Sequence, residues 1–81
     1  MDFSYVYILH SHLSAEHYYV GLTEDLHARL KRHNAGEAPH TSNYRPWRIK
    51  TAIAFKDWVQ AVQFERYLST ASGRAFAKKR L

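Results

Sequence analysis

The chain of 81 residues has no cysteine, only three glycines and two prolines, and a shortage of acids. Without cysteine there can be no disulfide scaffold, no cysteine-rich zinc module and no thiol nucleophile. The lack suits a reducing compartment, so a cytoplasmic location is expected. No apolar run approaches the roughly 18 residues that a membrane span needs. The opening MDFSYVYILHSH has an acid at position 2 and apolar residues only in short bursts, so neither a span nor a secretion signal is expected. The chain reads as a soluble mature protein. Linkers, internal repeats and low-complexity blocks are also missing, which makes residues 1–81 a single domain. At this length a domain buries roughly 60% of its unfolded surface, so its stability must come from compact packing.

Aromatic residues make up 15% of the sequence, including six Tyr and two Trp, and apolar residues 46%. That is too much for a disordered basic tail. Twelve Lys and Arg against seven Asp and Glu give a net charge of +5. A folded domain with that excess attracts polyanions, and nucleic acid is the first partner class it suggests. A basic soluble protein of another kind has the same charge.

Residues 3–10, FSYVYILH, place Phe3, Tyr5, Tyr7 and Leu9 on one face and Val6 and Ile8 on the other, a strand covered on both sides. Residues 17–22, HYYVGL, are near enough to return as its antiparallel partner. Thr23 offers an N-cap hydroxyl, with Glu24 and Asp25 in the first turn of a helix. Leu26 and Leu30 form its inner face, Arg29 and His33 share the adjoining face, and Asn34-Ala35-Gly36 supplies a stop. The loop 35–46 is long for so small a domain, a length common in ligand-contacting loops. Residues 47–56 alternate Ile49, Thr51, Ile53 and Phe55 with Arg48, Lys50 and Lys56, a third strand with one wetter face. Asp57 can cap a helix over 58–69 with a stripe of Trp58, Ala61, Val62, Glu65 and Leu68. Ser69 or Ser72 can cap a last helix running through AFAKKR. The expected fold is α+β, a small three-stranded, mainly antiparallel sheet flanked by helices in the order β-β-α-β-α-α.

Glu65 is the most informative residue, because a carboxylate on an apolar stripe must be desolvated, paired or open to a cleft. It could pair with Arg66 or Arg29. It could also join Tyr7, Tyr19, Arg29 and His33, which that fold can bring to one end of the sheet. Taken singly, the tyrosines suit a core, Arg29 a solvated helix face and His33 a helix end.

The segments Tyr5-Val6-Tyr7 and Tyr19-Val20-Gly21, the run YVGLTEDLHARLKRHN (19–34), AVQFERYL (61–68) and SGRAFAKKRL (72–81) closely resemble the GIY-YIG endonuclease domain. The likeness covers essentially the whole chain. It is nearest to the small stand-alone bacterial branch related to the nuclease domain of the excision-repair nuclease subunit, some members of which act on single-stranded DNA. The resemblance implies a catalytic set of Tyr7, Tyr19, Arg29, His33 and Glu65. Glu65 is the ligand of one divalent ion, Mg2+ or Mn2+, Arg29 steadies the phosphate, and a tyrosine or histidine helps activate water. Gly21 matches the motif glycine. The first motif lacks its leading glycine, and the asparagine that follows the glutamate in many members is missing, so that its role is either absent or filled by Ser69 or Ser72.

The chemistry is coherent for phosphodiester hydrolysis, in which a guanidinium fork and a hard cation on oxygen ligands offset charge on the nonbridging oxygens. Mg2+ keeps several waters and needs only one or two carboxylates. Lys31, Arg32, Arg45, Arg48, Lys50, Arg74 and Lys78 could line one groove for DNA, single-stranded or structured. Tyr44 and Trp47 could stack exposed bases, or Trp47 could simply anchor its strand and the charged helix residues face water. His10, His12 and His17 could approach one another across a hairpin, though their spacing is not diagnostic of a metal site. The expected function is a metal-dependent DNA endonuclease. The alternative is a noncatalytic nucleic-acid-binding module of the same fold. With so little surface, targeting would come from loop 35–46, from DNA structure or from a protein partner.

Overall fold

The structure, a computed structural model, describes residues 2–81. The element order is β1 (Ser4–Ser11), β2 (Tyr18–Thr23), α1 (Leu26–Asn34), a 3-10 turn (Ser42–Tyr44), β3 (Trp47–Phe55), α2 (Trp58–Leu68) and α3 (Ala71–Arg80). The strands form one antiparallel sheet in the order β2-β1-β3, as the α+β reading expects.

Alternation along β1 divides the interior in two, because successive side chains of a strand point to opposite faces. Tyr7 and Leu9 join Trp47, with Tyr19, Leu26, Leu30, Tyr44 and Ile49 packed around them, on the face covered by α1. Val6 and Ile8 pack with Ala61 and Leu68 of the α2–α3 layer, together with Val20, Leu22, Phe55 and Phe64. The central strand is thus buried from both sides, as its near-continuous apolar run implies.

Three local expectations are corrected. Thr23 does not cap α1. It ends β2 opposite Tyr5, and its hydroxyl exchanges hydrogen bonds with the backbone of Asp25. Asp25 is the cap, accepting from the Ala28 amide at 3.0 Å. The α3 cap is Thr70, not Ser69 or Ser72, and it accepts from the Gly73 amide. A Cβ at Gly73 would strike the Tyr67 carbonyl, so the tight α2–α3 joint needs a glycine.

The third correction concerns β3, which does not keep one wetter face. A register shift opposite Ile8 and Leu9 pairs Leu9 with Ile49 but Ile8 with Thr51, leaving Lys50 as the extra residue. Ile49 therefore packs in the α1 layer, whereas Phe55 packs against α2 and α3. Among the described residues no helix is long and apolar enough to cross a membrane.

Candidate active site

Four of the five expected side chains meet on the α1 face of the sheet. Tyr7 lies at the middle of β1, opposite Gly21, where a Cβ on residue 21 would overlap the phenol ring and oxygen. The motif glycine is therefore a space requirement set by Tyr7. Arg29 and His33 sit one turn apart on α1. The Tyr7 hydroxyl bonds His33 Nε2 at 3.1 Å. The Tyr19 ring packs 4.9 Å from the His33 ring and 6.3 Å from that of Tyr7, centre to centre.

Burial divides these four. Tyr7 and His33 are 1% and 2% exposed, while Tyr19 and Arg29 are half-buried. Burial pushes the Tyr7 phenol above its ordinary range, and the Tyr19 phenol beside it adds to that effect. The Arg29 guanidinium pulls the other way, as a hydrogen-bond donor and as a charge, and Arg32 assists by its charge. Burial likewise pushes the His33 imidazole below its ordinary value, helped by the charges of Arg29 and Arg32. Both buried groups are thereby held neutral near pH 7. The groups left at the surface are a guanidinium and the Tyr19 hydroxyl, which makes no hydrogen bond among the described residues. An open depression of about 370 Å³ beside Arg29 is lined also by Leu22, Thr23, Glu24 and Trp58, linking α1 to the start of α2 around edge strand β2.

Sequence reasoning missed Thr41. It is 1% exposed, and its Oγ1 lies 2.8 Å from His33 Nδ1 and 3.3 Å from the Ala38 carbonyl oxygen. Trp47 Nε1 donates to the Thr41 carbonyl at 2.8 Å. No periodicity marks a threonine in an irregular loop, so nothing in the pattern singled it out.

A model of the GIY-YIG catalytic domain matches residues 3–80, nearly the full chain. The chain belongs to the GIY-YIG family. Membership makes it a nuclease-type catalytic domain. Comparison with curated proteins finds no match, and comparison with solved structures finds none.

Glu65 of this GIY-YIG domain lies on α2. Its helix packs in the layer on the other sheet face, and the carboxylate makes no hydrogen bond or ion pair with Tyr7, Tyr19, Arg29 or His33. It lies two turns along α2 from Trp58, on the same helical stripe. The alternative pairing with Arg66 or Arg29 is also not seen, since the one ion pair among the described residues joins Arg32 to Glu37. Ser69 donates to the Glu65 backbone carbonyl, and not to its carboxylate.

The expected DNA-contacting residues do not form one groove, because the sheet separates them. Lys31 and Arg32 are exposed on α1. Arg48 and Lys50 lie on the other face, Arg48 against His10 and Lys50 over the Tyr18 ring, with Lys78 on α3 in the same layer. Arg74 is exposed and donates to the Ser69 carbonyl. Of the two readings of Trp47 the structure takes the strand anchor and not the base-stacking platform: it is 4% exposed, with its indole hydrogen-bonded inside. Tyr44 keeps only part of its ring free, since His17 stacks on it at 3.8 Å. Arg45 is exposed, its guanidinium reaching back against Gly36. His10 and His17 are bonded to Ala15 and Ser14, and among the described residues no three metal-ligating side chains gather.

Proposed function

We propose that this GIY-YIG domain is an endonuclease that hydrolyses DNA phosphodiester bonds, on single-stranded or structured substrates, with one Mg2+ or Mn2+ ion. The supporting observation is the half-buried Arg29 guanidinium and free Tyr19 hydroxyl set over a buried, neutral Tyr7–His33 pair. Arg29 is the catalytic cation, because a guanidinium fork matches two phosphate oxygens and keeps its charge at any working pH. Tyr19 is the phenol placed to accept a hydrogen bond from the attacking water. Tyr7 and His33, out of contact with solvent, are positioning residues that hold Arg29.

The residues present fit a hard divalent ion. Glu65 is half-buried, offers oxygen donors and is in no ion pair among the described residues. A single carboxylate suits Mg2+, which retains most of its waters. Glu65 would hold the ion, whose chemistry is to neutralise charge on the phosphate and lower the pKa of a bound water.

One observation favours a second reading, the noncatalytic nucleic-acid-binding module: the Glu65 carboxylate makes no hydrogen bond or ion pair with the other four residues. A cleavage screen separates the two. Labelled single-stranded, duplex, nicked and branched oligonucleotides are incubated with Mg2+, Mn2+ or chelator. Divalent-dependent products support the nuclease, whereas salt-sensitive retention without products supports the binding module. A cytoplasmic location, a role in DNA repair and targeting by a partner protein belong to the same proposal.

A further inference from the structure

We infer that Thr41 is a positioning residue whose hydroxyl selects the Nδ1–H tautomer of His33 and so leaves Nε2 bare to accept the Tyr7 hydroxyl. Only the catalytic consequence rests on the nuclease reading. The tautomer is a property of the folded chain.

The argument is one of donors and acceptors along a buried row. At one end stands the Ala38 carbonyl, which can only accept: it takes the Thr41 amide at 3.1 Å and lies 3.3 Å from the Thr41 hydroxyl. Behind it lie three groups that can each donate or accept: the Thr41 hydroxyl, the His33 imidazole and the Tyr7 hydroxyl, linked by contacts of 2.8 and 3.1 Å. One direction gives every hydrogen an acceptor: Tyr7 donates to His33 Nε2, His33 Nδ1–H to Thr41, and Thr41 to Ala38.

The reverse tautomer fails at the site itself. With the proton on Nε2, His33 would donate to Tyr7, and the buried phenol hydrogen would be left without an acceptor among the described residues, which is unfavourable. Thr41 is well held for this task, because Trp47 donates to its carbonyl from the first residue of β3. The groups facing His33 are Tyr7 on β1, Tyr19 on β2, and Arg29 and Arg32 on its own helix, none of which competes for Nδ1.

The test is long-range proton–nitrogen NMR of the full chain carrying 15N-labelled histidine, at pH 7.5. The expected spectrum shows His33 neutral, with Nδ1 protonated and Nε2 bare. Thr41→Val keeps the shape and removes the acceptor, so it should move His33 towards the Nε2–H form and lower kcat/KM about two- to tenfold, the range for loss of one hydrogen bond between neutral groups. Thr41→Ser should restore both. A wild-type Nε2–H tautomer overturns the inference, as does a Thr41→Val protein with unchanged tautomer. The wild-type spectrum decides even where Thr41→Val fails to fold. Should the expected tautomer be found in a chain that cleaves no substrate, the nuclease reading falls and the assignment of Thr41 stands.

Discussion

The Tyr7 phenol fills the space directly over the Gly21 Cα, so these two partners across the β1–β2 ladder behave as one unit. Any side chain at position 21 moves the phenol that bonds His33. The glycine thus shapes the site without touching a substrate.

Gly21→Ala is expected to lower stability by about 1–3 kcal/mol, the range for overpacking a filled interior. Placed in a Tyr7→Ala background, the same change should add almost nothing, because the obstructing ring is gone. Chemical denaturation of the four proteins in the cycle reads the coupling. Additive losses would show that Tyr7 and Gly21 are independent.

Arg29→Ala should reduce turnover about 10²–10³-fold, the typical loss on removing a group that stabilises developing charge. Stability should change little, since Arg29 is in no ion pair among the described residues. Arg29→Lys should recover only a minor part of the rate, because a point charge cannot reproduce the fork. Steady-state kinetics on a cleavable oligonucleotide, with melting curves as control, measure both.

His33 ties activity and stability to pH in the same direction. Its folded-state pKa lies below that of the unfolded chain, because of burial and of the Arg29 and Arg32 charges. The unfolded state therefore takes up the proton first, and stability falls as pH drops below about 6.5. Protonated His33 would also donate to Tyr7, so cleavage should show an acid limb below the same value. Melting temperature against pH for the parent and His33→Gln checks the sign, with a flatter acid side expected in the variant. A parent whose stability rises towards pH 5.5 would contradict it.

Trp47→Ala should destabilise by about 3–5 kcal/mol, as for loss of a buried aromatic. Trp47→Phe should keep most of the packing while losing the indole hydrogen bond to Thr41. If Trp47 were instead a stacking platform, Trp47→Phe would weaken single-strand binding at unchanged melting temperature, which fluorescence anisotropy detects.

The fold was legible because its two periodicities are clean: β1 reads as a doubly buried strand, and α1 and α2 carry apolar stripes. Legibility failed where a local choice depended on tertiary contacts. Thr23 and Asp25 are both good caps, and only the extra residues of β2 decide between them. The bulge at Lys50 is invisible to an alternation count, since the apolar residues keep every second position while changing sides. At the site, Tyr7, Tyr19, Arg29 and His33 were legible through their motif spacing. Thr41 was not, because its place is set by hydrogen bonds to Ala38 and His33 and by the Trp47 indole. Trp47 stayed open between stacking bases and anchoring its strand, because an aromatic between basic residues looks alike whether it faces solvent or the core.

The decisive measurement is the initial rate of oligonucleotide cleavage against Mg2+ concentration for the parent and Glu65→Ala, with melting curves for both. Saturable, chelator-sensitive cleavage by the parent and none by a Glu65→Ala protein of unchanged stability is the predicted result. Equal metal-dependent rates from the two proteins would contradict it, leaving Glu65 a bystander on α2.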